Sequence, residues 1–329
     1  PMNIDEILGK LLSEKQLNAP GTIDVVWING ENFKTAKSAE LLYGPFTGQL
    51  PNFNLYVDAT APDVAYDFGY PVEGFEAPYG KAQFVLIGDS VVIGDIPVDH
   101  KALLALAKEN PGKITYPAPP DFTGSAFVRN IIYDIVGYEP FMNVAHEKEA
   151  VRELIQPALD FLIQLKPHLW RQGETYPAAN SQVDNMYSDG ELMMTMNYNP
   201  NHVALKILSG EFSATSIAGV FEKGSVGNTH FLAIADNSQN KAAALALINL
   251  ILSPEIQASK YNPDNWGDLP VLDETKLSED QIALFRSIPK GPGVPELEEL
   301  LTKRLPEMPS ALVPIIEELW METVPVKGN

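Results

Sequence analysis

The stretch TIDVVWINGENFKTAK, Thr22 to Lys37, decides how the fold of this chain is interpreted. Its apolar run from Ile23 to Ile28 has the length and β-branched content of a buried strand. The polar, glycine-containing turn from Asn29 to Asn32 follows at once, and a helical pattern begins there. In α/β proteins such turns lie at the carboxyl edge of a parallel sheet, where ligands bind. The stretch therefore predicts an α/β lobe with a ligand site at its sheet edge.

Similar patterns recur further along the chain. Lys113 to Tyr116 predicts a short strand, which leads through a proline-rich segment to Asp121 and a helix over Ser125 to Val136. Leu192 to Met196 predicts another strand, and it runs into the polar segment Asn197 to His202. Strand-end turns on two sheets predict two lobes around a cleft.

Bulk composition narrows the class of protein. A chain of 329 residues with 45% hydrophobic and 20% charged residues is large enough for two α/β domains. The formal charge of −20 disfavours nucleic acid and anionic membrane surfaces as partners. Cysteine is absent, which excludes thiol catalysis, disulfides and zinc–thiolate sites and is compatible with an oxidising compartment. No apolar run approaches the roughly 20 residues needed to span a bilayer.

The first residues predict that a segment precedes this sequence. Pro1-Met2 is not a natural translation start. The apolar spacing from Ile4 to Leu12 predicts an amphipathic helix that leads into the strand at Ile23 to Ile28. Such a helix is the second half of a βαβ unit, so we expect its first strand to be missing here.

Four further segments complete the coarse prediction. Gln49 to Ala61, rich in Asn, Pro and aromatic residues, predicts an extended loop, whereas Ala82 to Ile87 and Thr229 to Ala235 predict strands. Lys241 to Leu252 predicts a helix with Asn240 as its N-cap.

Short motifs follow one another along nearly the whole chain after about Ile23. They are WINGENF (Trp27–Phe33), LPNF (Leu50–Phe53), YGKAQF (Tyr79–Phe84), ITYPAPPDFTGSAF (Ile114–Phe127), LWRQG (Leu169–Gly173), NYNPNH (Asn197–His202), GNTHF (Gly227–Phe231), LSPEIQ (Leu252–Gln257) and NWGD (Asn265–Asp268). In this order they resemble the YnjB-type family of ABC-transporter substrate-binding proteins. The sequence departs from the family at its front, where members begin with a strand and turn that face the cleft.

This resemblance implies a bilobal type II periplasmic binding protein fold, with two α/β lobes, a hinge and an interlobe cleft. Lobe I would be discontinuous, comprising residues 1–86 and 220–329, and lobe II would comprise residues 87–219. The implied protein is a periplasmic or extracytoplasmic monomer that closes around a small solute and delivers it to a membrane permease. No cofactor, metal or nucleic acid is implied.

Candidate ligand-binding residues follow from the strand-end turns, because helix N-termini there present unpaired N–H groups that bind anions. Neutral donors and acceptors come from Asn29, Asn32, Thr123, Ser125, Asn197 and Asn199; flat apolar walls come from Tyr79, Phe122, Tyr198 and Trp266; and acids come from Glu31 and Asp121. The alternative is that the small polar residues cap helices and form turns and that the aromatic residues belong to the core.

The charge of the ligand depends on where Glu31 and Asp121 point. A helix N-terminus favours an anion by roughly 0.3 to 1 kcal/mol. A carboxylate about 4 Å from a cation contributes on the order of 4 kcal/mol at an effective dielectric of 20, before desolvation. If either acid faces the cleft, we expect a nitrogenous cation or heterocycle, thiamine-like or polyamine-like, held also by cation–π contact. Otherwise these acids serve their own helices.

Metal binding is not expected. Ferric-ion binding proteins of the implied fold present adjacent tyrosines, and no Tyr-Tyr pair occurs among the 12 tyrosines here. The five histidines are far apart in sequence and form no H-x-x-x-H pattern, so each is expected to be structural.

Two other functional classes remain as alternatives. One is a hydrolase that uses paired carboxylates in an interlobe cleft, although the sequence contains no G-x-S-x-G, H-E-x-x-H or G-x-x-x-x-G-K-[ST] motif. The other is a recognition module that docks on a protein through a flat apolar patch rather than a deep cleft.

Overall fold

A computed structural model describes residues 4–325, without the side chain of Asp5. The predictions about Pro1-Met2 and a preceding strand lie outside these residues. The chain divides into two compact units. Unit 1 comprises the residues up to Ala82 together with Asn228–Pro289, and unit 2 comprises Gln83–Gly227 together with the segment from Lys290 onward.

The helices and strands are given in chain order. The helices are α1 (Ile4–Gln16), α2 (Gly30–Ser38), α3 (Pro51–Tyr56), α4 (Pro62–Ala65), α5 (Ser90–Ile93), α6 (His100–Glu109), α7 (Phe122–Val136), α8 (Lys148–Leu165), α9 (Asn180–Ser188), α10 (His202–Leu208), α11 (Lys241–Ile251), α12 (Pro254–Tyr261), α13 (Glu279–Arg286), α14 (Leu297–Thr302) and α15 (Val313–Thr323). The strands are β1 (Val25–Ile28), β2 (Leu42–Tyr43), β3 (Tyr66–Asp67), β4 (Tyr70–Pro71), β5 (Glu76–Gln83), β6 (Val85–Asp89), β7 (Met194–Asn197), β8 (Ser216–Gly219), β9 (Ser225–Ala235) and β10 (Arg304–Leu305). Short 3-10 turns cover Thr47–Gln49, Glu139–Met142, Lys166–His168, Trp170–Gly173, Glu274–Lys276 and Ser310–Leu312.

The sheet of unit 1 is built around β9. Ile234 pairs with Val25 of β1 on one side and with Tyr43 of β2 on the other, both antiparallel, and β5 also pairs with β9. The strand-turn-helix pattern correctly predicted β1 and α2, but the parallel sheet that it suggested is wrong for these pairs. The reason is that β9 arrives from a distant part of the chain and inserts between β1 and β2 in the opposite direction.

Alternate residues of β9 feed two apolar clusters, because successive side chains of a strand point to opposite faces. Leu232 and Ile234 join one cluster, in which Phe53 of α3 and Ile248 of α11 are buried. The other cluster includes the buried Leu11, Val26, Ile28, Phe33, Ala36, Ala233 and Ala235. The amphipathic helix predicted from the spacing of Ile4 to Leu12 is confirmed as α1.

Two local predictions are wrong. The segment from Gln49 to Ala61 contains α3, which starts with Pro51 at its first turn and buries Phe53 in the core. Lys113 to Tyr116 forms no strand. The Lys113 carbonyl accepts a hydrogen bond from the Met193 N–H, and the Ile114 carbonyl accepts one from the Trp170 N–H, so the segment pairs with two separate parts of the chain and not with one strand. Burial of this segment, with Tyr116 fully enclosed, produced the strand-like apolar pattern.

Unit 2 holds a three-stranded sheet in the order β7-β6-β8, with both outer strands antiparallel to β6. Helix α7 is buried over most of its length, and α8 packs against it and against α15. No single helix among residues 4–325 combines the length and hydropathy to cross a membrane; α11 and α12 meet both criteria only as a pair, and the chain bends by 64° between them.

The described C-terminal segment, from Lys290 to Pro325, belongs to unit 2, whereas the family resemblance implies that it is part of lobe I. Arg129 of α7 is buried and pairs with Glu307 at 3.0 Å. The Trp320 indole donates to the Tyr116 hydroxyl at 3.1 Å. A buried guanidinium requires a carboxylate partner, and the C-terminal segment supplies it.

Candidate functional site

Four rings form a continuous surface on unit 1, which we call the aromatic face: Trp27, Tyr79, His230 and Trp266. The ring centroids are 6.1 Å apart for Trp27 and His230, 5.8 Å for His230 and Tyr79, and 6.2 Å for Tyr79 and Trp266. Both tryptophans are 54% exposed, although tryptophan is usually well buried. The aromatic face therefore leaves about half of each indole side chain accessible to a ligand.

Three strands and one turn position these rings. Trp27 lies on β1 between the buried Val26 and Ile28, so the pleat directs it away from the core. His230 lies on β9 and Tyr79 lies on β5. Trp266 lies in the turn after α12, where the Asn262 carbonyl accepts from its N–H at 3.0 Å.

Behind the rings lies a buried ion pair. The Lys260 ammonium is 3.1 Å from Asp268 Oδ2, and the two side chains are 8% and 7% exposed. The same ammonium lies 4.7 Å from the Tyr79 ring centroid and 5.2 Å from that of Trp266, and it donates a hydrogen bond to the Tyr79 carbonyl. Lys260 and Asp268 therefore form an ion pair between two side chains that are both almost fully buried.

Burial shifts the pKa values of Lys260 and of the neighbouring Tyr79 in opposite directions. Burial lowers the pKa of Lys260, and the charge of Asp268 partly offsets that effect. Burial and the nearby Asp268 charge raise the pKa of Tyr79, so its phenol is neutral at physiological pH. Asp268 Oδ1 is also 3.7 Å from His230 Nδ1, so one carboxylate faces both the lysine and the histidine of the face.

The predicted site residues at the start of α2 also belong to unit 1. Asn29 occupies the N-cap position without a side-chain capping bond, and the Gly30 N–H donates instead to the buried carboxylate of Asp67. Glu31 is exposed in the first turn, and Asn32 is half-buried. The capping role that was the alternative for Asn29 is therefore filled by another residue.

Asp121 in unit 2 serves its own helix. Its Oδ1 accepts from the N–H groups of Thr123 and Gly124 at 3.0 and 2.9 Å, and its Oδ2 accepts from Asn180 at 3.3 Å. Asp121 is therefore the N-cap of α7, which is the alternative role for this acid. Phe122, the next residue, is 49% exposed and packs on Tyr198 with 4.9 Å between ring centroids.

The hydroxyl groups of Ser125 and Tyr198 are used inside unit 2. Tyr198 donates to Glu307 at 2.6 Å, and Ser125 donates to Glu317 at 2.6 Å while it accepts from Arg129. Burial raises the pKa of Tyr198, and the charge of Glu307 acts in the same direction. What unit 2 presents outward here is the ring of Phe122.

Asn197 and Asn199 form consecutive side-chain turns. The Asn197 Oδ1 accepts from the Asn199 N–H, and the Asn199 Oδ1 accepts from the Asn201 N–H, both at 2.9 Å. Both residues are half-buried, and these bonds leave their amide NH₂ groups as donors. Thr123, in contrast, is only 9% exposed.

Sequence analysis thus identified part of the aromatic face. It selected Tyr79 and Trp266, which the structure brings together, and missed Trp27, His230 and the pair behind them. The signal for Trp27 was an indole between two buried aliphatic residues. The motifs that contain His230 and Asp268 were noticed, but nothing local connects them, because they meet only through the fold.

Histidines and acids do not form a metal centre in the described part of the chain, where no group of three or more such side chains could hold a metal ion. Two histidines pair with single carboxylates inside unit 2: His100 with Asp134 at 2.5 Å and His202 with Asp184 at 2.9 Å. These are structural contacts of the kind expected from the sequence.

Comparisons with known proteins place the chain in a family. The model of the family described as "Bacterial extracellular solute-binding protein" matches residues 1–284. Protein YnjB of Escherichia coli (strain K12) is 39% identical over 261 residues, which is 79% of this chain and 67% of that protein.

Solved structures share the fold. An extracellular solute-binding protein from Bordetella parapertussis superposes with a TM-score of 0.68 at 14% identity, covering 98% of this chain and 88% of the other. A periplasmic thiamin binding protein superposes with a TM-score of 0.58 at 16% identity, covering 98% and 83%. These neighbours have the type II periplasmic binding protein fold, with its two α/β units. The chain belongs to the bacterial extracellular solute-binding family, the extracytoplasmic components of ABC transporters that bind a small solute for a membrane permease.

Proposed function

We propose that this protein binds a planar nitrogen heterocycle, thiamine-like in its chemistry, against the aromatic face of unit 1. The observation that carries the proposal is the exposure of Trp27 and Trp266, at 54% each, within one run of rings that includes Tyr79 and His230. Stacking of a heterocyclic base on an aromatic side chain contributes about 1–3 kcal/mol per base. A cationic ring would gain cation–π attraction in addition.

A polyamine-like solute is the second candidate, and Glu31 favours it, because this acid is exposed in the first turn of α2. The other acids near the candidate residues are occupied. Asp121 accepts from backbone N–H groups, and Asp268 is paired with Lys260. A flexible amine loses conformational entropy on binding and needs several unpaired carboxylates to offset that loss. This comparison favours the heterocycle.

The remaining candidate residues would complete the site from both units. We propose that Asn29, Asn32 and Glu31 of unit 1 bind the polar edge of the solute, together with Asn197 and Asn199 of unit 2. Thr123 and Ser125, which are buried in the first turn of α7, would act by holding the start of that helix. Phe122 would provide a second ring surface, backed by the buried ring of Tyr198, and Asp121 would act by holding the start of α7. Hinge closure follows when one solute contacts both units, because its differential affinity stabilises the closed form.

The closed monomer would then be recognised by the permease, with no bond made or broken in the solute. A cleft hydrolase would need two carboxylates free to act on a substrate. The engagement of Asp121 and Asp268 in structural contacts supports binding without catalysis.

A thermal-shift screen tests the solute class. Thiamine and other heterocycles, polyamines, sugars, anions and metal ions would be added to the protein, and a ligand at about 100 times its Kd should stabilise it by roughly 2.7 kcal/mol. We expect the heterocycles to raise Tm and to quench tryptophan fluorescence, and the double variant W27A/W266A to lose both responses. Stabilisation by polyamines or sugars alone, unaffected by this double variant, would overturn the proposal.

A further inference from the structure

The Lys260 ammonium occupies a complete recognition site for an alkylammonium group. The centroids of two aromatic rings lie within 5.2 Å of it, a carboxylate oxygen lies at 3.1 Å, and the Tyr79 carbonyl accepts a hydrogen bond from it. Aromatic rings combined with a carboxylate are the chemistry with which proteins bind free ammonium ligands. Here the ammonium that occupies the site belongs to the Lys260 side chain.

The carboxylate at the back of this site is fixed by the fold. Asp268 packs on the backbone of Gly80, and its N–H donates to the Lys260 carbonyl at 3.0 Å. Three titratable side chains of the described residues face it: Lys260 of α12, His230 of β9 and Tyr79 of β5. A buried carboxylate without a cation would be unfavourable, and Lys260 supplies a formal positive charge that pairs with it.

We propose that Lys260 is a specificity-determining residue of the aromatic face: its ammonium fills the cation position, excludes aliphatic amines and leaves the exposed indoles to a planar ring. The biological meaning of this inference rests on the proposed function, because it assumes that solute binds at the aromatic face. The part of the inference that concerns the site around Asp268 does not depend on the natural solute. Removal of the lysine side chain opens an alkylammonium site beside Asp268.

Chemical complementation tests this directly. Lys260→Ala removes a fragment equivalent to n-propylammonium. Wild type, K260A and K260A/D268N would be melted with n-propylammonium chloride, with n-propanol and with sodium chloride at equal concentrations. We expect K260A alone to be stabilised by n-propylammonium, with an affinity about tenfold or more above that of wild type, because the ion regains the ring and carboxylate contacts. The K260R variant keeps the position filled and should behave as wild type.

Two results would overturn the inference. One is equal stabilisation of K260A by n-propanol and n-propylammonium, which would show that only apolar volume is restored. The other is equal binding of n-propylammonium to wild type and K260A. If K260A does not fold alone, the readout is its refolding yield with n-propylammonium against sodium chloride, and equal yields would count against the inference. The proposed function fails on a different result, which is that the wild-type protein does not bind any heterocycle.

Discussion

Asp268 and Gly80 are in direct contact: a Cβ atom on residue 80 would lie 1.8 Å from Asp268 Oδ2. The glycine is therefore required by a side chain that packs on the backbone, and that side chain pairs with Lys260 behind the aromatic face. The absence of a side chain at Gly80 thus allows the Asp268 carboxylate to lie where it pairs with Lys260.

Gly80→Ala should displace Asp268 and disturb the aromatic face. The added methyl group forces the carboxylate away, and overpacking of this kind costs about 1–3 kcal/mol. We expect a lower free energy of unfolding in urea and a changed tryptophan emission, because Lys260, the partner of Asp268, lies against the ring of Trp266. Gly48→Ala is the control, since a Cβ there meets nothing within 4 Å. Equal effects of both substitutions would contradict this interpretation.

The elements with strong local periodicity were predictable from sequence. The period of Ile4 to Leu12 gave α1, and the apolar run before Asn29 gave β1, because each pattern reflects one buried face. The aromatic face was only partly predictable. Trp27, His230 and Trp266 come from three distant segments, and their meeting depends on β9 entering the sheet between β1 and β2.

The placement of the C-terminal segment was not predictable either, for a physical reason. Its helices carry apolar faces that would fit many partners. What selects unit 2 is a set of pairwise polar contacts, above all Arg129 with Glu307, and no local pattern in either segment encodes such a pairing.

Glu76→Gln should stabilise the protein at neutral pH. Glu76 is fully buried, and neither carboxylate oxygen has a hydrogen-bond partner. Burial, together with the charge of Asp67, raises its pKa well above the ordinary value of 4.5. A raised folded-state pKa means that the contribution of this group to stability is complete below the unfolded-state pKa and is lost as pH rises through the folded-state pKa.

We therefore expect E76Q to gain on the order of 1–3 kcal/mol over wild type at neutral pH, and less at acidic pH, because the amide carries no charge to desolvate. Urea unfolding across that pH range measures the difference. The exposed Glu153→Gln is the matched control, for which we expect no such trend. A constant difference at all pH values would contradict the assignment.

Glu307→Gln should destabilise unit 2 strongly. The substitution leaves the buried guanidinium of Arg129 without its counter-charge, and breaking a buried pair in this way typically costs about 3–5 kcal/mol. It also weakens the bond from the Tyr198 hydroxyl. Glu322→Gln breaks exposed contacts with Lys148 and Arg152 and should cost at most about 1 kcal/mol. Denaturant titration of both variants gives the comparison, and similar losses would show that the buried pair has no special weight.

Asn32→Ala should weaken solute binding and leave the fold intact. Asn32 is half-buried in the first turn of α2, beside the strand end that carries Trp27. We expect Kd to rise by roughly two- to tenfold, because one neutral hydrogen bond contributes about 0.5–1.5 kcal/mol. Asn199→Ala should weaken binding too, but with some loss of stability, since its Oδ1 also holds the turn at Asn201.

Calorimetric titration with a solute found by thermal shift, together with urea unfolding, separates these two effects. Asn185→Ala, at an exposed position of α9, is the control for a general loss of amide groups. If Asn32→Ala lowers stability while the folded fraction binds as tightly as wild type, Asn32 is a structural residue of α2. The solute would then have to be bound by the aromatic face without this turn.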